Sequence, residues 1–145
     1  MKILITAFAL LLILATSPVH AENEAKPFAE QKVVLQISDP NPFKQTLVLN
    51  VATNLIKHYG PDKIDIEIVA FGPGLRLLIE GNSNQSRMDG LSESGVRFAA
   101  CENTVAGFTR QLGHTPELVH QAVPVTAGVV RILELKHQGY DLIKP

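Results

Sequence analysis

The chain has 145 residues, 46% of them apolar, with 13 Lys and Arg against 14 Asp and Glu, one Cys and no Trp. This composition excludes a disordered chain and a disulfide-stapled scaffold. The near-zero charge balance offers no basic face for phosphate, so nucleic acid is not an expected partner.

The first 21 residues read as a cleavable signal peptide. Lys2 supplies the positive start, Ile3 to Leu14 is an apolar run broken by Thr6, and Val19-His20-Ala21 suits a cleavage site before Glu22. The run falls short of the roughly 20 residues that span a bilayer. The expected location is the periplasm, with no membrane attachment after cleavage, and no Cys follows the signal to take a lipid. Residues 22–31 form a polar, Pro27-containing lead-in expected to be mobile. Residues 32–145 are expected to fold as one domain, long enough to bury a single core without staples.

Strand and helix signals alternate from there. Lys32 to Ser38 is a β-branched run suited to a buried strand. Asp39-Pro40-Asn41-Pro42 turns the chain into a helix, with Asn41 as cap and Pro42 in the first turn. The spacing predicts that helix over Pro42 to Tyr59, with Leu47, Val48, Val51, Ala52, Leu55 and Tyr59 on one face and Gly60-Pro61 as its stop. Lys63 to Phe71 predicts a second strand, in which Ile64, Ile66 and Ile68 alternate with Asp65 and Glu67 before a fully apolar end.

Gly72-Pro73-Gly74 makes a tight loop, Leu75 to Ile79 a short helical turn, and Glu80 to Ser94 holds at most a short helix around Met88 and Leu91. Val96 to Ala100 predicts a third strand, Cys101 to Leu112 a helix stopped by Gly113, and Thr115-Pro116-Glu117 a further turn. Gln121 to Pro124 is a short extended piece, Thr126 to Gln138 a helix, and Tyr140 to Ile143 a last strand. Alternation of this kind predicts a three-layer α/β/α domain around a mainly parallel sheet.

In that architecture ligands meet the loops after the strands. Those loops are Ser38 to Asn41, Phe71 to Gly74, Cys101 to Thr104, and Pro124 to Thr126. Cys101 therefore lies on the functional edge, where free amides at a helix start favour thiolate, while the neighbouring Glu102 opposes it. Asn103 and Thr104 add groups able to hydrogen-bond a sulfur anion or simply support the helix start. Three fates stay open for Cys101: buried and inert, persulfide carrier, or intermolecular disulfide partner.

Other chemistry is weaker. Asp39 suits a turn better than an acid or base role, no G-x-S-x-G elbow exists, and the Gly72-Pro73-Gly74 loop lacks the pattern of a phosphate or dinucleotide cradle. His58, His114, His120 and His137 lack zinc-type spacing, so no metal is expected. Leu75 to Ile79 is a candidate assembly surface.

The run Gly95 to Thr104, with Cys101 in it, resembles the cysteine region of the DsrE/DsrF-like family of small sulfur-handling proteins. Asp39 after the first strand, Gly72-Pro73-Gly74 after the second, and Pro124 to Val130 through Gly139-Tyr140 are similar to that family in order and spacing. The resemblance implies about five strands and a homo-oligomer, a trimer or hexamer. It also implies a cysteine that accepts sulfane sulfur as a persulfide from a donor protein and passes it to an acceptor, with no cofactor. By match, Cys101 is the acceptor; Asp39, Asn41, Gly72, Gly74, Asn103 and Thr104, on the loops at the same edge, are the candidate binding or supporting residues. The export signal and Glu102-Asn103-Thr104 after the cysteine set the chain apart from the cytoplasmic relay members and point to an exported branch. The expected function is thus an exported persulfide carrier or sulfurtransferase-like protein, the alternative being a non-catalytic oligomeric binding module in which Cys101 packs.

Overall fold

Runs of Val, Ile and Ala build a sheet whose strands are β1 (Gln31–Ile37), β2 (Ile64–Ala70), β3 (Arg97–Cys101), β4 (Ala122–Val125) and β5 (Asp141–Ile143), in the order β4-β3-β2-β1-β5. All four pairings are parallel. The connections carry α1 (Pro42–Tyr59), a 3-10 helix (Gly72–Leu78), α2 (Gln85–Glu93), α3 (Glu102–Leu112) and α4 (Gly128–His137). The computed structural model describes residues 25–145; the expected signal peptide and the first lead-in residues lie outside them. The three-layer α/β/α fold is the one the alternating pattern predicts.

The α1 boundaries match the sequence reading. Asn41 Oδ1 accepts the Phe43 N–H at 2.9 Å, Pro42 opens the first turn, and Gly60 ends the helix at φ +88°, where L side chains are strained. The buried stripe differs. It is Gln45, Val48, Leu49 and Ala52, at spacings i, i+3, i+4 and i+7, and it turns Leu47 and Tyr59 toward solvent.

The sheet is covered unevenly. On one face Ile66, Ile68 and Phe98 pack with Val48, Leu77 and Met88, and Val105 and Phe108 of α3 join them. On the other face, among the described residues, α4 is the helix that packs against Val34, Val69 and Ala99, through Ile132 and Leu135, with Tyr140 beside them. Leu75, Leu77 and Leu78 are fully buried in the first layer, so the Leu75 to Ile79 segment is core and not an assembly surface. Thr115 to Glu117 runs extended instead of turning, because Leu118 pairs with Ile79 in an antiparallel bridge; the turn comes at His120 and Gln121.

The largest departure from the sequence pattern lies in β2. Asp65 and Glu67 look like the solvent side of an alternating strand, yet they are 0% and 2% exposed. Burial of two carboxylates requires partners of opposite charge. Arg97 supplies them from β3, donating through Nη1 to Asp65 Oδ1 at 2.5 Å and through Nε to Glu67 Oε2 at 3.0 Å. Arg131 of α4 grips Glu67 with a fork, Nε to Oε1 at 2.6 Å and Nη2 to Oε2 at 2.7 Å. The Tyr140 hydroxyl accepts from Arg97 Nη2 at 2.9 Å and donates to Asp65 Oδ2 at 2.5 Å.

The lead-in also contributes, since the Lys26 backbone N–H donates to Asp65 Oδ2 at 2.9 Å and its Nζ donates to the Ser94 carbonyl at 3.0 Å. At Lys26 the lead-in is therefore tied to β2 and to the turn before β3. Burial works against the Arg97 charge, but its carboxylate partners outweigh that and hold its pKa above the ordinary guanidinium value. Burial and the bond to Asp65 push the Tyr140 phenol up to about 12.

Loss of Arg97 leaves two buried carboxylates short of a partner, whereas loss of the Tyr140 hydroxyl removes hydrogen bonds alone. Arg97→Met is expected to cost about 3–5 kcal/mol and Tyr140→Phe about 1–3 kcal/mol by urea unfolding. Equal losses would show that the charges are not the dominant part of the network. Because the folded pKa of Tyr140 is raised, its contribution is complete below the ordinary tyrosine range and is lost as pH rises through about 12.

Candidate functional site

Cys101 ends β3 and caps α3, with φ −69° and ψ 113°. Alternation along β3 puts its side chain on the same face as Arg97 and Ala99, the face that α4 covers. The strand has the length the sequence reading gives it but is shifted by one residue, from Val96–Ala100 to Arg97–Cys101, so that it ends on the cysteine. Two helix starts therefore meet at one sulfur: α3, which begins at the next residue, and α4, which begins at Gly128.

Cys101 is 5% exposed, and burial alone pushes its thiol up. The Thr104 hydroxyl and the backbone amides of Gly128, Thr104 and Asn103 work the other way and prevail, so the thiol lies below its ordinary value. The Cys101 side chain makes no capping hydrogen bond onto α3; the groups that lower its pKa belong to the starts of both α3 and α4. Thr104 has a fixed role in this arrangement. Its Oγ1 accepts the Gly72 N–H at 2.9 Å, which occupies a lone pair and leaves the hydroxyl proton free to point at sulfur.

The residues expected at this edge separate into two groups. Gly72, Asn103 and Thr104 come together at Cys101. Asp39 and Asn41 do not: β1 and β3 are separated by β2, about 10 Å across the sheet. Asp39 Oδ1 accepts the Asn41 N–H at 2.8 Å, and Asn41 caps α1, so both serve the turn. Gly74 is required for close packing, since a Cβ there would collide with the Ile37 carbonyl and lie 2.7 Å from Ser38 Cα.

Sequence reasoning missed Gly128, whose amide helps to hold the Cys101 thiol below its ordinary value. A Cβ on Gly128 would sit 2.9 Å from the Phe71 ring, which makes this glycine necessary where α4 begins. The signal was present in the Ala127-Gly128 pair after the β4 loop, but nothing in the sequence joins that loop to Cys101.

Two grooves lie at this edge of the sheet, and the buried Cys101 lines neither. One, of about 520 Å³, runs along α3 past Ala100, Val105, Ala106 and Leu118; the other, of about 250 Å³, runs along α4 past Val125, Thr126, Ala127 and Arg131. Glu102 and Pro124 line both. Among the described residues no group of three or more His, Cys, Asp or Glu stands close enough to hold a metal, and no helix is long and apolar enough to cross a membrane.

No family model and no curated protein matches the chain. Solved structures do. A protein of unknown function, MTH1491 from Methanobacterium thermoautotrophicum, is 27% identical with a TM-score of 0.70, covering 79% of this chain and 99% of its own. The ychN protein from E. coli is 15% identical with a TM-score of 0.63, with the same two coverages. The chain shares their fold, a DsrE-like fold consistent with the resemblance seen around Cys101.

Thr104→Val is expected to raise the Cys101 thiol pKa and slow its alkylation at neutral pH, while Thr104→Ser keeps both near wild type, as read from ultraviolet thiolate absorbance against pH. Identical titrations in all three proteins would remove Thr104 from the site. Because the folded thiol lies below its unfolded value, the stability it contributes is present above the unfolded pKa and is lost as pH falls through the folded one.

Proposed function

We propose that this protein is an exported, periplasmic persulfide carrier of the DsrE/DsrF-like kind, with Cys101 as the sulfur-accepting residue. The observation that carries the reading is the placement of Cys101 at the end of β3 and the start of α3, where its thiol is held below its ordinary value despite burial. A cysteine that merely fills space in a core has its thiolate penalised by burial, whereas here the Thr104 hydroxyl and three amides reverse that penalty. In the step proposed, the Cys101 thiolate attacks the outer sulfur of a donor persulfide R–S–SH. A new S–S bond forms as the donor's S–S bond breaks, and that bond's electron pair leaves on R–S⁻. The product is Cys101–S–SH, with no net oxidation, and its terminal sulfur passes to an acceptor thiolate by the same exchange. Donor and acceptor proteins are the expected partners.

Assembly into a trimer or hexamer fits the outer surface of α4. Val129, Val130 and Leu133 are each more than half exposed there, and Val123 of β4 is 50% exposed. The same apolar surface, together with the 5% exposure of Cys101, favours the second reading, an oligomeric binding module with a packing cysteine.

Intact-mass spectrometry of native protein before and after an inorganic polysulfide separates the two. The carrier is expected to gain whole sulfur atoms, to lose them to reductant, and to gain none as Cys101→Ser. A thiol that takes up no sulfur and is alkylated only after unfolding would leave the binding module.

A further inference from the structure

We infer that Asp89, His120 and Gln121 form a binding site for one divalent metal ion of the zinc type, independent of Cys101. Asp89 stands in α2. The other two are the middle residues of a tight turn just before β4, closed by the Ala122 N–H donating to the Val119 carbonyl at 3.0 Å. Both turn side chains converge on one carboxylate oxygen. His120 Nε2 lies 3.9 Å from Asp89 Oδ1, and the Gln121 side-chain amide donates to the same oxygen.

An exposed His–Asp pair is by itself an ordinary surface contact. What such a contact does not explain is the amide beneath it. Gln121 is 9% exposed, and its Oε1 is buried with no donor to it among the described residues. A buried acceptor in that state is costly, and it marks a place where a ligand is owed. The amide is nearly symmetric in shape, so a half-turn about its last bond exchanges Nε2 and Oε1. With a cation beside Asp89, that half-turn brings Oε1 to the side of the carboxylate. An imidazole nitrogen, a carboxylate oxygen and an amide oxygen then face one point.

The imidazole favours a transition ion over calcium or magnesium. The 3.9 Å gap from Nε2 to Oδ1 lies within the span of two ligands each about 2.0–2.2 Å from a shared ion. His120 is exposed and Asp89 partly so, which leaves an entry path and room for water in the remaining positions. Bound there, the ion joins α2 to the turn that opens the edge strand β4. Val125, the strand neighbour of Cys101, is about 13 Å further along, so the two sites do not share a ligand.

The test is calorimetric titration of the native chain, free of any polyhistidine tag, with zinc chloride, beside Asp89→Asn, His120→Gln, Gln121→Glu and Cys101→Ser. One ion per chain is expected, bound at least about tenfold more weakly after Asp89→Asn or His120→Gln and equally well after Cys101→Ser. Gln121→Glu sets two carboxylates against each other and offers the ion both. That variant is expected to melt below wild type without zinc, to bind zinc more tightly, and to recover its melting temperature on zinc addition. No heat of binding would overturn the inference. So would a site that disappears with Cys101→Ser, or an affinity untouched by Asp89→Asn, which would leave His120 as a lone surface ligand. Zinc that fails to stabilise Gln121→Glu would overturn it as well, since the buried amide is then no part of the site.

Discussion

The molecule is organised around the pairing of Glu67 with two arginines. Arg97 reaches it from the neighbouring strand and Arg131 from the helix laid across that strand, so one carboxylate fixes β2, β3 and α4 relative to each other. Such a pair adds little net stability over an apolar equivalent, but its geometry is demanding, and half of it is intolerable alone. Arg131 lies three residues beyond Gly128, about one helical turn, so the fork that grips Glu67 also sets the rotation of α4 that brings the Gly128 amide to Cys101. The sulfur's surroundings are therefore fixed from about 13 Å away along β3, where Arg97 occupies the same face.

The cysteine site then follows from local rules applied at one end of the sheet. A strand that ends at its last core position delivers a side chain to the helix that begins next. A loop glycine whose N–H is spare holds a threonine hydroxyl in one orientation. A second helix can start in contact with the first site because Gly128 has no side chain to meet Phe71. None of these is unusual alone, and their convergence on a buried thiol is what gives the sulfur an anion's environment in an apolar setting.

Much of this was legible in the sequence because it is written in local patterns. The α1 limits follow from Asn41-Pro42 and Gly60, and the sheet's parallel order follows from alternation of strand and helix. Cys101 at a strand end is read directly. What the sequence hid is what depends on pairing across the fold. Asp65 and Glu67 have the period of a wet strand, and only Arg97, some 30 residues later, and Arg131, later still, make them interior. Leu75 to Leu78 look like a loop's loose apolar run because the layer that covers them is contributed by β2, β3 and α3. Asp39 stands at a strand end as a catalytic acid would, and strand order alone separates it from the cysteine.

The uneven covering of the sheet gives the two faces different lifetimes. Beneath one lies an interlocked layer drawn from four helical segments; over the other lies the ten-residue α4. Small elements with few buried contacts open by local fluctuation well below the free energy of global unfolding. An opening confined to α4 would leave the five strands paired and the main core dry while withdrawing the Gly128 amide and uncovering Sγ. Protection of the thiol from solvent is then a property of one helix's attachment to Glu67, with a timescale of its own.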